Sequence, residues 1–514
     1  MTSQLPSEIL NDPMFNALNE SQPQKKNIVP VTMAELERLL KQEGDIWREE
    51  HAKYNEKTGE TKIIPVSPRA VANLLRRYVD FAVITDDNPE NAPLCAYDLD
   101  EGIYKRGERF IGKLILAIEP TTNKAGRANI LGWLEIESQE KEPTRDPNLI
   151  VMNNGIFNRK TMSLMPFSPR YVFLSKVAVN YNPLAQEPLF EDWSFSTWLE
   201  ELADGDQQKL ELFWRIIYAS LNGNHISNKV IFLISTIGKS GKGTLQMLLR
   251  NLVGAKNTVA LRLEEIEKRW AVYTAYGKSL IIGDDNNPKS FIEKNENLKS
   301  IATGDILQAE GKGKDPFTTV ITAQIIQSFN GFPKINSFDD GLKHRLIVVP
   351  FNHSYQGKEN KRVKEEYIND SRLLEWIALK TVHMVETELY NTKDGLESLQ
   401  EFEEDNNNIL RFYNTFFPDF TSERIPIKFL FELFQAWNRE ENNPQNMKQN
   451  SFTKELRPIA EKDSWNYSLK NLATLDLFYD EDMRKIDAFH VDEYFVNDPK
   501  KYQAILWREG KTDN

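Results

Sequence analysis

Gly238-Lys239-Ser240-Gly241-Lys242-Gly243-Thr244 is the stretch of this 514-residue chain with the clearest chemistry. An apolar run, IFLIS, enters this glycine-rich loop, and a helical pattern, TLQMLL, follows it at once. Small residues let consecutive backbone N–H groups turn toward one point, a helix start favours anions, and a lysine placed there reaches the β- and γ-phosphates of a nucleotide. Gly238, Ser240, Gly241, Lys242, Gly243 and Thr244 are therefore the candidate cradle for ATP. The loop departs twice from the common phosphate-loop spacing: Thr236 stands at the first glycine and Gly243 at the hydroxyl residue that holds Mg2+. Thr244 is the nearest hydroxyl to replace it, and the choice of metal ligand stays open at this level.

About forty residues on, the apolar run Leu280-Ile281-Ile282-Gly283 ends in Asp284-Asp285. Two carboxylates at a strand end can hold Mg2+ and polarise an attacking water, with Asp284 as the candidate metal ligand. By themselves, paired aspartates more often form a turn or a helix cap. A further run, Gln324-Ile325-Ile326-Gln327-Ser328-Phe329, ends in Asn330, whose amide is suited to orienting water against the γ-phosphate, although asparagine after a strand commonly just begins a turn. Asp339-Asp340-Gly341-Leu342-Lys343-His344-Arg345 then leads into LIVVPF. Arg345 is a candidate finger for a neighbouring subunit's site; the alternative is a surface ion pair.

These residues need an α/β scaffold. KVIFLIST, KSLIIGDD, TAQIIQSF and HRLIVVPF read as buried strands separated by loops and helices, giving a core over 229–356. Residues 1–30 read as a flexible tail, 31–147 as a small mixed domain with helical patterns such as MAELERLL and RAVANLLRRYVDFAV, 148–228 as a helical collar, and 357–404 as a helical linker or lid. From 405 to 514, three amphipathic patterns (NILRFYNTFF, IKFLFELFQAWNRE, NSFTKELRPIAEK) and the short runs WNYSL and KIDAF suggest a winged-helix domain. Lys448, Asn450 and Lys454 would then face a DNA groove while Phe452 and Leu456 pack inward.

Bulk properties set limits. The net charge of -12 argues against a protein that coats nucleic acid, so any DNA contact needs its cations concentrated, as the central channel of a ring does. A single cysteine, Cys95, excludes an internal disulfide and a cysteine-based zinc cluster. With no apolar membrane-length run and no export-signal pattern at its start, the sequence is expected to be cytoplasmic and without a membrane partner.

The order of cradle, acidic strand end, asparagine-ended strand and arginine resembles superfamily 3 helicases of the poxvirus nucleoside-triphosphatase and phage or plasmid primase-helicase type. Asn153-Asn154-Gly155-Ile156-Phe157 with Val179-Asn180-Tyr181-Asn182-Pro183 is similar to that family's approach to its ATPase domain. Phe329-Asn330-Gly331-Phe332-Pro333 resembles its asparagine motif, and Pro426-Ile427 with NSFTKEL its C-terminal domain. The resemblance implies an AAA+ core and an ATP- and Mg2+-dependent DNA helicase of a phage or mobile element, working as a ring, usually a hexamer. It also implies that Glu310-Gly311-Lys312-Gly313-Lys314-Asp315 is a channel hairpin in which Lys312 and Lys314 track DNA phosphates; a solvated turn is the alternative. Two other functions compete: an AAA+ origin-binding initiator or helicase loader without unwinding, and a primase-helicase, for which only the acidic alternation Tyr97-Asp98-Leu99-Asp100 speaks.

Overall fold

The computed structural model describes residues 29–57, 59–287, 291–335, 338–441, 446–472, 482 and 502–508. Nearly all of the expected tail and the KIDAF run (485–489) lie outside the described residues. Thr32 and Ser67 accept backbone N–H groups at the starts of α1 (Met33–Glu50) and α2 (Pro68–Tyr78), as N-cap residues do. The helical pattern in RAVANLLRRYVDFAV does not run through. It stops at Tyr78, and Phe81–Ile84 leaves as strand β1 with all four side chains buried. Val79, Val83 and Ile84 branch at Cβ and suit an extended, enclosed run better than a helix.

Strands β2 (Leu94–Asp98) and β3 (Ile103–Arg106), helices α3 (Glu108–Ile118) and α4 (Lys124–Glu137), and strand β4 (Gln139–Lys141) complete this part. Its sheet runs β3-β2-β1-β4, with β1 and β4 the parallel pair. Leu40, Leu75, Ile115, Ile118 and Leu134 join the four helices in one apolar core over it.

The segment expected to be a helical collar begins instead as an antiparallel meander of β5 (Leu149–Met152), β6 (Gly155–Asn158) and β7 (Ser163–Met165). Short apolar runs on either side of the tight Asn153-Asn154 turn favour a hairpin over a helix there. The helices follow as α5 (Phe195–Leu202) and α6 (Gln207–Leu221), capped by Ser194 and Asp206. They form no separate layer: Phe195, Leu199 and Phe213 share one core with Ile231, Leu233, Leu249 and Val349 of the segment that follows.

That segment contains β8 (Val230–Ile234), α7 (Lys242–Val253), β9 (Thr258–Ala260), β10 (Leu280–Asn286), α8 (Glu296–Thr303), the hairpin β11 (Ile306–Ala309) and β12 (Phe317–Val320), β13 (Gln324–Phe329), α9 (Asp340–Lys343), β14 (Leu346–Pro350) and α10 (Ser371–Val382). Five strands form a parallel sheet in the order β9-β10-β13-β8-β14. β8 and β13, and the edge strand β14, are buried at every position, as strands covered on both faces are. The strands on either side of β8 both come later in the chain, so the sheet's carboxyl edge collects loops from distant segments.

One compact unit contains everything described so far, through Pro333 and again from Asp339 to Leu396; a second contains Lys334–Phe338 and the chain from Glu397. α11 (Lys393–Asn406) carries the chain from one to the other. The second unit is built from α12 (Asn408–Phe416), β15 (Arg424–Pro426), α13 (Ile427–Glu440), α14 (Gln449–Lys462), β16 (Asn466–Leu472) and β17 (Tyr502–Trp507). Its antiparallel sheet runs β15-β17-β16. Phe412, Phe434, Trp437 and Phe452 interlock at its centre. Among the described residues, no helix is long and apolar enough to cross a membrane.

Candidate active site at the carboxyl edge of the sheet

β8 delivers the chain to the glycine-rich loop, and α7 begins at Lys242. Gly241 caps that helix with φ 93°, a left-handed conformation that favours glycine. A Cβ there would lie 2.6 Å from Leu202 Cδ2, so α5 packs directly against the turn. Gly243 has no such constraint, since its nearest foreign atom, Lys364 Nζ, would be 4.0 Å from an added Cβ.

β13 lies between the cradle strand and the acidic strand, so Asn330 emerges between the loop and the two aspartates. Lys242 Nζ donates to Asn330 Oδ1 at 3.1 Å and to Ser240 Oγ at 3.4 Å. Asn330 Nδ2 in turn donates to Asp285 Oδ1 at 3.5 Å. Burial pushes the Lys242 ammonium below its ordinary pKa, while Asp285 and Asp284 pull it back up. A cationic lysine facing two carboxylates across an amide can receive a phosphate chain on one side and a metal ion on the other.

The carboxylates project because β10 bulges at them. Its register with β13 shifts between Gly283 and Asn286, and Asp285 has φ 46°. Both aspartates are exposed, whereas Asn286 is buried and donates to Gly283 O, Gln327 Oε1 and Ser328 O. Ser328 Oγ donates to Asp284 Oδ1 at 2.8 Å and accepts from Asp285 N at 3.1 Å. Ser328, Gln327 and Asn286 were missed in the sequence, although polar residues inside an otherwise apolar strand were the available signal. For Mg2+ the donor set fits, since this ion commonly takes one or two carboxylates and completes its shell with water and phosphate oxygens.

Lys242, Asp284, Asp285 and Asn330 are thus brought together, and Arg345 is not. Thr244 lines a cavity of about 750 Å³ beside the cradle, with Trp193, Trp198, Gly241, His353 and Tyr355. Arg345 precedes β14, which runs parallel to β8, so it sits at the opposite end of the sheet from the cradle. Five strand residues separate the two ends by about 16 Å at ~3.3 Å each. Within one chain the guanidinium cannot reach the phosphates. Its Nη1 donates to Gly341 O in its own turn.

Lys312 and Lys314 lie exposed on the tip between β11 and β12, which pair as an antiparallel hairpin. Gly313 sits between them with φ 69° and open space around it. The hairpin's base is fixed by a residue the sequence did not announce: Asp86 Oδ2 accepts from Val320 N at 2.7 Å and Thr319 Oγ1 at 2.9 Å, and Arg145 pairs with the same carboxylate. In the second unit Lys448, Asn450 and Lys454 are exposed on α14 and its cap, and Phe452 and Leu456 are buried.

Two phrases singled out in the sequence also meet. Asn153 Nδ2 donates to Asn180 Oδ1, and Asn154 exchanges hydrogen bonds with the Tyr181 backbone at 2.8 and 3.0 Å. Asn182 continues to Glu375 on α10. Asp98, by contrast, is a turn residue: it accepts from the backbone of Asp100 and Glu101 and pairs with Lys105 at 2.7 Å.

Three family models match the chain. Residues 34–199 match "D5 N terminal like", residues 404–495 match "Poxvirus D5 protein-like", and residues 233–345, which contain the whole cradle and both strand ends, match a family of unknown function, DUF5906. The resemblance to the poxvirus D5 type read from the motifs therefore holds on both sides of the parallel sheet. Similar solved structures include the apo C terminal region of NrS-1, at 15% identity and a TM-score of 0.43, covering 77% of this chain and 90% of that one. The A form of that region gives 15% identity and a TM-score of 0.44, with 85% and 98% covered.

Proposed function

We propose, for a chain with D5-like segments on both sides of a phosphate cradle, an ATP-hydrolysing motor that works on DNA in replication, assembled as a hexameric ring in the manner of superfamily 3 helicases. The observation that carries this reading is the contact chain from Lys242 through Asn330 to Asp285, which joins three strand ends at one point.

In this reading Lys242 and the loop amides hold the β- and γ-phosphates. Asp284, oriented by the Ser328 hydroxyl, would hold Mg2+, which when bound would neutralise charge on the phosphate oxygens. Asp285 accepts a hydrogen bond from the attacking water and Asn330 orients it for in-line attack on the γ-phosphorus, with ADP as the leaving group. Arg345 would come from the neighbouring subunit, where it can lie against the transferring phosphoryl group. The cavity beside Thr244 is left for the nucleoside, with Trp193, Trp198 and Tyr355 as faces for the base.

The DNA surfaces follow from the exposed cations. Lys312 and Lys314 on a glycine tip suit phosphate contacts in a channel. The helix–strand–helix–helix–strand–strand order of the second unit supports a winged-helix reading, in which Lys448, Asn450 and Lys454 face duplex DNA. The test is ATP-dependent unwinding of forked DNA by the wild type and by Lys312→Ala/Lys314→Ala. Unwinding by the wild type, lost in the double variant while basal ATP hydrolysis persists, is the expected result. ATP hydrolysis without strand separation, on forks of either polarity, would instead favour an origin-binding initiator or loader.

A further inference from the structure

At the far end of the cradle helix, the first compact unit contains another cavity, of about 610 Å³. Its walls come from the turn after α7 (Gly254–Asn257), the turn before β10 (Tyr276–Lys278) and the N-terminal sheet region around Glu101–Arg106. α7 spans about 18 Å at ~1.5 Å per residue, so this cavity is separate from the nucleotide site.

Its charge is unlike that of the chain as a whole. Lys105, Arg106, Lys176, Lys256 and Lys278 line it, with Glu101 the one carboxylate among the lining residues. Glu101 is shared between three ammonium groups, at 2.9 Å from Lys176, 3.4 Å from Lys256 and 3.5 Å from Lys105. Those contacts, the Lys176 hydrogen bond above all, hold its carboxyl at about 2. Asp98, behind Lys105, is the further counter-charge.

The remaining cations are undercompensated. The Arg106 guanidinium stacks over the Tyr273 and Tyr276 rings at 4.5 and 4.7 Å, and its Nη2 donates to Tyr273 O. Its Nη1 is buried and finds no hydrogen-bond partner among the described residues, and the same holds for the Tyr276 hydroxyl. Lys278 feels Arg106 as a like charge: burial first, and then that guanidinium, lower its pKa. Lys278 Nζ donates to the Lys256 carbonyl oxygen, which leaves its charge without a carboxylate partner among the described residues, and a polyanion in the cavity would offset the excess of positive charge along its wall. The volume is that of a nucleotide-sized ligand, and Phe110 adds an aromatic face for a base.

We infer that this cavity is a second phosphate-binding site, taking a nucleoside phosphate, either free or as part of a single strand, with Arg106 and Lys278 as its principal donors. The turn that includes Lys278 leads directly into β10, the strand that ends in Asp284 and Asp285.

The test uses the full chain carrying Lys242→Ala, with Lys312→Ala/Lys314→Ala added for the oligonucleotide arm, so that neither the cradle nor the hairpin supplies the signal. Inorganic triphosphate, ATP and a short dT oligonucleotide are titrated calorimetrically. At least one probe is expected to bind saturably, and Lys256→Glu/Lys278→Gln to weaken it tenfold or more. Lys256 is 87% exposed at its side chain, so Lys256→Glu alone is a variant that keeps the fold, and a several-fold loss is expected from it. Binding of triphosphate or ATP assigns the site to free nucleotide; binding of the oligonucleotide alone assigns it to a strand. Saturable binding by none of the three, or affinities unchanged by the substitutions, overturns the proposal.

Discussion

Lys242 Nζ donates to Asn330 Oδ1 at 3.1 Å, joining the cradle to the end of the adjacent strand β13. Asn330 also donates to Asp285, so its amide is in contact with both the phosphate-holding cation and a carboxylate of the acidic pair. Asn330→Ala should lower kcat for ATP hydrolysis by about 10²–10³ while leaving KM within a few-fold, the pattern of an interaction made mainly in the transition state. Steady-state kinetics at saturating nucleotide checks this; an equal rise in KM with kcat intact would reassign Asn330 to ground-state binding.

The same lysine sets a pH dependence. Its ammonium is pushed down by burial and only partly restored by Asp285 and Asp284. The charged form holds the phosphates, so affinity is full below the folded pKa and falls as pH rises through it. The fall in nucleotide affinity should therefore begin at lower pH than the ~10.4 of an ordinary lysine would give. Dissociation constants for ATP measured across the alkaline range, with Lys242→Met as the control that lacks the dependence, test the sign.

Two glycines in the site should respond oppositely. A Cβ at Gly283 would lie 1.8 Å from Gln327 Oε1, inside the buried network that holds the β10 bulge. Gly283→Ala should cost about 2–4 kcal/mol in a denaturant titration. Gly243→Ser meets only the flexible end of Lys364, 4.0 Å from an added Cβ. It should change stability by no more than about 0.5 kcal/mol and keep or raise kcat, since the serine supplies the hydroxyl that phosphate loops commonly offer to Mg2+.

Asp86 ties the N-terminal region to the base of the lysine hairpin through Thr319, Val320 and Arg145. Asp86→Ala leaves two donors and a guanidinium without their acceptor, which should cost about 1–3 kcal/mol. It should also reduce DNA stimulation of ATP hydrolysis more than the basal rate. A variant with full DNA stimulation would show that the hairpin needs no such anchor.

The strands that carry the site were legible because each is a short apolar run bounded by turn residues; Asp284, Asp285 and Asn330 fall at the end of one, and Lys242 follows the glycine-rich loop after another. Their spatial order was not. Nothing in a single chain says that β13 lies between β8 and β10, because crossover helices rather than local residues set that adjacency. Asp86 was invisible for a related reason: it meets Thr319 across 233 residues, and Asp86-Asp87-Asn88 after a strand looks like any other turn. Tyr78 to Phe81 was misread because RAVANLLRRYVDFAV keeps apolar residues at helical spacing through the break, and only burial on both faces of β1 marks it as a strand. The meander at Leu149–Asn158 was passed over although LIVM-Asn-Asn-Gly-Ile-Phe is a hairpin pattern, because a long helical stretch follows it; the bond from Tyr181 N to Asn154, 27 residues away, has no local signal.

The most direct measurement is ATP hydrolysis by the purified full-length protein, with and without single-stranded DNA, beside Lys242→Ala. DNA-stimulated release of phosphate by the wild type, with both basal and stimulated rates abolished in Lys242→Ala, is the predicted result. Hydrolysis that survives Lys242→Ala, or a wild type that neither binds nor hydrolyses ATP, would contradict a nucleotide site at the carboxyl edge of this sheet.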